Sequence, residues 1–394
     1  MSNLLSISSV FTYIGYILIA ILVLLFMVLI HELGHYIAGK ILKFKINEFS
    51  VGFGPKIFQK KKKNGELISL RAIPLGGYCA FDGETEEEQD SPQAFHNQKP
   101  WKRLIVLFSG AFFNFLSAII FSFILLLASG YDLVEVKQID NTSINHGVLQ
   151  TSDVIYGIEG QNIDFVNDDF FNTLITVNVE DKYSNYKTNN FATGDLEKET
   201  SYIEDGEVYY TVTSDLMFNI KRDGEKLAVV GHINVIYDAE GEYAGWSLLA
   251  GNEEIDEEFS IGNHKYTFGE ALIQSVPFTC KWAWKVLVIF GQLITGQLNI
   301  KALGGPVTTI KTIANVTQQS ASYLLVLLPL IAVNLAVFNL LPIPALDGCQ
   351  MIFTAIEWVR KKPIKQQVVN LINNIGLIVL FGFVIIVDIL QFVL

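Results

Sequence analysis

The chain has 394 residues, 51% of them apolar and only 17% charged, with a net charge of −12. That balance excludes an ordinary soluble domain and a disordered chain, and it is the composition of a membrane protein with a soluble part. The acidity is local: residues 131–265 hold 27 acidic and 8 basic side chains, which argues against nucleic acid or anionic lipid as the partner of that segment.

Apolar runs at 11–30, 104–129, 323–346 and 372–394 predict four membrane-spanning helices, since about 20 apolar residues cross the hydrocarbon core. The first run lacks a basic leader and a small-residue cleavage site, so it is expected to be retained rather than removed as a signal peptide. It ends in HELGH, residues 31–35. On a helix His31 and His35 share a face and both imidazoles can reach one ion, while Glu32 beside them suits a general base. Catalytic zinc takes three protein ligands and leaves a position for water. The plainer alternative is a pair of interfacial histidines, with Glu32 in an ion pair to Lys40. The H-E-x-x-H spacing on a segment otherwise free of charge speaks against it.

Residues 40–103 carry 12 Lys and Arg, including Lys60, Lys61, Lys62 and Lys63. FKINEFSVGFGPKIFQ and ELISLRAIPLGGYCAF read as strands joined by a KKKNG turn, a β-hairpin expected to dip toward the membrane. Gly52, Gly54, Gly76 and Gly77 mark points of close backbone approach. Asn114, in the second span, is read as a packing residue. A second basic cluster, Arg360, Lys361, Lys362 and Lys365, separates the last two spans. The positive-inside rule then places both loops in the cytoplasm, and the acidic segment and both termini outside.

The acidic segment opens with GVLQTSDVIYGIEGQNI and later has FNIKRDGEKLAVVG, short strands broken by Gly and Asp turns. Residues 180–215 between them are polar without a clear period and are taken as an insertion or mobile loop. An amphipathic stretch at 282–295 is placed at the membrane interface. The chain therefore divides into a membrane half at 1–130, a β-rich domain at 131–265, an interfacial segment at 266–321 and a second membrane half at 322–394.

A third metal ligand is needed. His96 lies in the cytoplasmic loop, and His146, His232 and His264 belong to the outer domain. Asp347 sits in FNLLPIPALDG, at the end of the third span that matches the depth of HELGH; Pro342 and Pro344 break the helix there and Gly348 allows a turn. Asn334 and Asn339 on the same span either bridge helices or bind the backbone of a substrate. Cys79, Cys280 and Cys349 are too dispersed for a disulfide framework or a thiolate zinc cluster.

HELGH together with NLLPIPALDG resembles the site-2 protease family of intramembrane zinc metalloproteases, in particular its bacterial branch with a PDZ domain. VGFGPKIF, PLGGYCAF, AFHNQKPWKRLIVLFSG and LGGPVTTI extend the likeness along nearly the whole chain. The resemblance implies a polytopic α-helical membrane protein of about four spans, with a membrane-associated β-hairpin and an extracytoplasmic β-rich PDZ-like domain. It implies Zn²⁺ held by His31, His35 and Asp347, Glu32 as catalytic base, and Asn334 and Asn339 gripping an extended substrate. The implied substrates are transmembrane segments of anti-sigma factors, remnant signal peptides or pheromone precursors, cut within the lipid. A catalytically inactive scaffold that binds helices is the alternative, as is a membrane zinc protease acting on prenylated or soluble peptides. Two positions depart from the family pattern: Ala111 stands where a proline is common, and Cys349 follows LDG where a glycine is usual. The cysteine is read as a small packing residue rather than a soft ligand.

Overall fold

A computed structural model describes residues 7–83, 93–130, 134–139, 143, 145–162, 200–204, 207–238, 243–247, 259–296, 304–320 and 322–393. They form two compact units, one of residues 1–124 and 273–394 and the other of residues 125–272. Four helices among the described residues are long and apolar enough to cross a membrane: Thr12–Ile41, Pro100–Ser129, Tyr323–Leu340 and Gln367–Leu390. They match the four expected runs, with two adjustments. The first helix, α1 (Ile7–Ile41), continues through HELGH and ends two turns beyond it. The third stops at Leu340, before the double-proline break.

Between α1 and α2 (Pro100–Ser129) lie two long antiparallel strands, β1 (Ile46–Lys61) and β2 (Leu67–Phe81), joined across the expected KKKNG turn. Both strands bend. Residues 48–51 of β1 pair with 77–80 of β2 on one side and with 67–70 on the other, and 67–70 pair in turn with 58–61. Two chain segments thus make a narrow ribbon four strand segments wide. Gly52 and Gly54, both at positive φ, form the bend of β1, where a Cβ on Gly52 would sit 2.8 Å from the Ile73 carbonyl oxygen. The far part of the ribbon exposes Phe53, Ile57, Phe58, Leu70, Ile73 and Leu75.

Glu66, at the base of the turn, fastens this ribbon to α1. Its buried carboxylate accepts hydrogen bonds from Tyr36 (2.8 Å), Asn64 and Lys62 (3.1 Å each) and is ion-paired to Lys40. Burial pushes the carboxyl up, but the bonds from Lys40, Asn64, Tyr36 and Lys62 outweigh it and bring it down to about 2.

The remaining helices of this unit are α3 (Phe268–Ile294), α4 (Pro306–Gln319), α5 (Tyr323–Leu340), α6 (Asp347–Arg360) and α7 (Gln366–Val393). Their shared core joins Ala20 and Met27 of α1, Ala118 of α2, Val286 of α3, Ile313 of α4 and Ala332, Val333 and Val337 of α5. The small alanines let backbones approach closely, the usual basis of helix association in lipid. α3 is longer than the amphipathic stretch expected from sequence. It packs into this core, and Thr279 meets Ser122 of α2 at 2.9 Å with both fully buried. A second feature is absent from the sequence reading: Asp388, a buried acid in the fourth span, caps α4. It accepts the Thr308 N–H (3.1 Å) and hydroxyl (2.9 Å), and a Cβ on Gly305 would meet its carboxylate at 2.5 Å. The close approach accounts for the glycine in LGGPVTT.

The second unit contains an antiparallel sheet of eight strands in the order β10-β3-β4-β7-β8-β9, with β5 on β4 and β6 on β7. These are β3 (Val134–Ile139), β4 (Val154–Ile158), β5 (Gln161–Asn162), β6 (Thr200–Glu204), β7 (Glu207–Arg222), β8 (Glu225–Tyr237), β9 (Tyr243–Ser247) and β10 (Phe259–Asn263). Period-two burial of Leu216, Phe218 and Ile220 on β7, and of Ile233, Val235 and Tyr237 on β8, forms its core. Residues 200–204 and 207–215, read from sequence as part of a mobile insertion, are strand β6 and the start of β7, paired with each other in antiparallel register. The rest of that insertion lies outside the described residues.

Glu66→Gln tests the fastening. The carboxylate is charged in the folded protein down to about pH 2, against an ordinary value of 4.5, so the contribution is complete above 4.5 and is lost as the pH falls toward 2. At pH 7 amide exchange at residues 67–70 should rise by about tenfold or more in the variant, and the gap to the parent should close in acid.

Candidate metal centre

HELGH lies well inside α1, so helical spacing puts His31 and His35 on one face, with their rings in edge contact at 4.7 Å between centroids. Asp347 reaches them from the first turn of α6. The chain between α5 and α6 makes this possible: Pro342 and Pro344 stop the helix, Ala345 adopts φ +76°, and its N–H is held by Asn373 Oδ1 at 3.3 Å. A non-glycine residue in that left-handed region stores about 1 kcal/mol or more, here spent on turning Asp347 back toward α1. Gly348 is required because a Cβ there would collide with the carbonyl oxygens of Leu340 and Leu341.

Asp347 Oδ2 lies 3.0 Å from His31 Nε2 and 3.3 Å from His35 Nε2, and the two Nε2 atoms are 3.0 Å apart. Although close, Oδ2 is buried and has no hydrogen-bond partner of acceptable geometry. Three electron-pair donors converge on one point, the arrangement that a cation stabilises. Among the described residues these three form the one cluster suited to a metal ion. Two nitrogens and one carboxylate oxygen are the donor set of catalytic zinc, so the residues fit that ion. Cys349 is buried but stands outside the cluster, as a packing residue would.

Glu32 lines the same cavity of about 690 Å³, as do Tyr78, Asn114 and Asn339. Its Oε2 accepts the Cys79 N–H at 2.9 Å, so the edge of β2 lies against the carboxylate. Asn339 is therefore brought to the centre. Asn334, half-buried on α5, is not among the residues that line the cavity.

The sequence reading missed the wall behind the histidines. His35 Nδ1 meets the Val106 carbonyl oxygen at 2.8 Å, a Cβ on Gly110 would lie 2.5 Å from His35 Nε2 and 2.6 Å from His31 Cε1, and Asn114 meets His31 Nδ1 at 3.4 Å. These three residues are spaced four apart and form one face of α2. A glycine followed four positions later by an amide in an apolar span was the available signal. Ala111 continues the helix and leaves this face intact. The far end of α6 is also tied to α2: Glu357 Oε2 pairs with Arg103 at 2.5 Å and Oε1 accepts the Ile364 N–H at 2.9 Å, with both side chains about nine-tenths buried.

The sequence pattern of peptidase family M50 matches residues 19–383. The chain belongs to peptidase family M50, the site-2 proteases. Its relatives include a protein of Clostridium perfringens, 27% identical over 95% of this chain and 97% of its own length. One from Fusobacterium nucleatum is 28% identical over 94% and 97%, and one from Nostoc is 29% identical over 93% of each. All three bear names that designate zinc metalloproteases. This M50 peptidase is a zinc metalloprotease with, among the described residues, four helices fit to span a membrane.

Two substitutions test how the M50 centre is built. Gly110→Ala should push α2 away from both imidazoles and weaken zinc binding by about tenfold or more, read by chelator competition on folded protein. Glu357→Ala leaves Arg103 buried without its partner and should destabilise by about 3 kcal/mol, whereas an apolar pair at both positions should cost less.

Proposed function

We propose that this peptidase hydrolyses a peptide bond inside or at the edge of a substrate's transmembrane helix. One observation carries the reading: a two-histidine, one-carboxylate cluster with an adjacent glutamate opens on a cavity formed among helices apolar enough for lipid. His31, His35 and Asp347 would hold zinc, which supplies Lewis-acid polarisation of a carbonyl and of water. Glu32 takes the proton from the attacking water and delivers it to the leaving amine. The bond between Glu32 and the Cys79 N–H keeps the carboxylate at the cavity rather than free to rotate.

A substrate helix hides its carbonyls in its own hydrogen bonds and must unwind before it can be cut. In lipid every freed N–H and C=O needs a new partner. The edge of β2 at Tyr78 lines the cavity, which supports addition of a substrate strand there, and Asn339 lies where it can bind the substrate's backbone. Asn334 has the same role in this reading, once the substrate extends along α5. The exposed apolar side chains of the ribbon, from Phe53 to Leu75, support its association with the membrane.

The loop charges support an orientation with the ribbon and the 360–365 cluster in the cytoplasm, and the acidic sheet and both termini outside. The sheet then acts as a PDZ-like filter that keeps intact, bulky proteins from the centre. Anti-sigma factors, remnant signal peptides and pheromone precursors are the substrate types in view.

Glu32→Gln should retain about one zinc per chain and lose cleavage of a membrane substrate by about a thousandfold. Asp347→Ala should lose the zinc itself. Unchanged turnover in the first, tested in membranes where uncut helices are scored by proteomics, would return the protein to a scaffold that binds without cutting.

A further inference from the structure

We infer that Asn114 is a positioning residue for the metal ligand His31, its side-chain carbonyl accepting the Nδ1 hydrogen of that ring. The inference rests on His31 holding zinc through Nε2. That nitrogen faces His35 Nε2 and Asp347 Oδ2, so the one ring hydrogen of neutral His31 sits on Nδ1. The amide atom nearest Nδ1 is Asn114 Nδ2, at 3.4 Å, and this sets two donors against each other. Asn114 Oδ1 meanwhile is buried with no hydrogen-bond partner, in a side chain that is fully buried. A half turn of the carboxamide leaves its shape unchanged and brings Oδ1 to the Nδ1 hydrogen, which resolves both conflicts.

The second imidazole supplies an internal comparison. His35 directs its Nδ1 to the Val106 carbonyl oxygen at 2.8 Å, two helical turns before Asn114 on the same face of α2. Each zinc-facing ring is thus backed by one acceptor from one helix, with Gly110 between them allowing the approach. Val106 uses its backbone, which any residue would supply. At Asn114 the acceptor is a side chain, and the sequence can lose it. An acceptor on Nδ1 fixes the tautomer and ring angle and raises the basicity of Nε2 toward the ion.

Asn114→Leu keeps the volume and removes the acceptor, whereas Asn114→Asp keeps an acceptor in nearly the same shape. The expected result is a 10- to 100-fold loss of zinc affinity in the leucine variant and parent-like or tighter binding in the aspartate variant. Affinity is measured by chelator competition on purified full-length protein, beside the melting temperature of the metal-free form. A packing role alone predicts the reverse order, since leucine suits an apolar site better than a buried carboxylate; that order, or unchanged affinity in Asn114→Leu, overturns the inference. Should Asn114→Leu fail to fold, Asn114→Ser against Asn114→Ala makes the same comparison with smaller side chains. His31→Ala separates the two levels: zinc lost there, but unaffected by Asn114→Leu, overturns the positioning role and leaves the ligand reading standing. Zinc retained in His31→Ala overturns the ligand reading itself.

Discussion

Three electron-rich atoms must be held about 3 Å apart inside a group of apolar helices, and much of the membrane unit is shaped by that demand. Neither imidazoles nor a carboxylate would be stable there alone, because lipid offers no water to satisfy them. Convergence on a cation solves the problem for all three at once. It also requires Asp347 to arrive from a different helix at the same depth as HELGH, and this is why the chain breaks at Pro342 and Pro344 and restarts at Asp347. The left-handed Ala345 and the cramped Gly348 are the local consequences of that restart.

Support for the cluster comes from α2, which contributes no ligand. Its face at Val106, Gly110 and Asn114 carries an acceptor, a gap and an amide in succession, matched to two rings one helical turn apart. At its start Arg103 holds Glu357 at the far end of α6, about 15 Å along the helix from Asp347. α6 is therefore fixed at both ends, by Asp347 against the two imidazoles and by a buried ion pair. The bent ribbon brings a sheet edge to Glu32 from the other side, and Glu66 ties its turn to the end of α1. Glu32, the sheet edge and the cluster of His31, His35 and Asp347 are thus placed by separate elements that meet at one cavity.

Much of this was legible in the chain. Hydropathy located the four long apolar helices because a spanning helix must be apolar over a set length, and i, i+4 spacing put His31 and His35 on one helix face. The KKKNG turn and the proline break were equally plain, since turns and breaks depend on local stereochemistry. Asp388 and Asn114 were not. Each is a polar residue in an apolar run, and its role depends on which helix lies opposite: α4 with its bare N-terminus for Asp388, α1 with His31 for Asn114. Likewise the strands at 200–204 and 207–215 were obscured by charge, because their pairing is a matter of backbone register with partners that local composition does not reveal.

The sequence by itself determined the four long apolar helices, the hairpin turn and the placement of His31 and His35 on one helix face, because helix period, span length and turn chemistry are properties of neighbours along the chain. Only the tertiary structure decided that Asp347, rather than another acid or histidine, joins His31 and His35. It alone separated Asn339, which lines the cavity, from Asn334, and it alone set Asn114 against the His31 ring. The physical reason is the same in each case. A side chain's spacing fixes the direction it takes from its own helix, but what it meets there depends on crossing angles and close approaches between helices far apart in sequence.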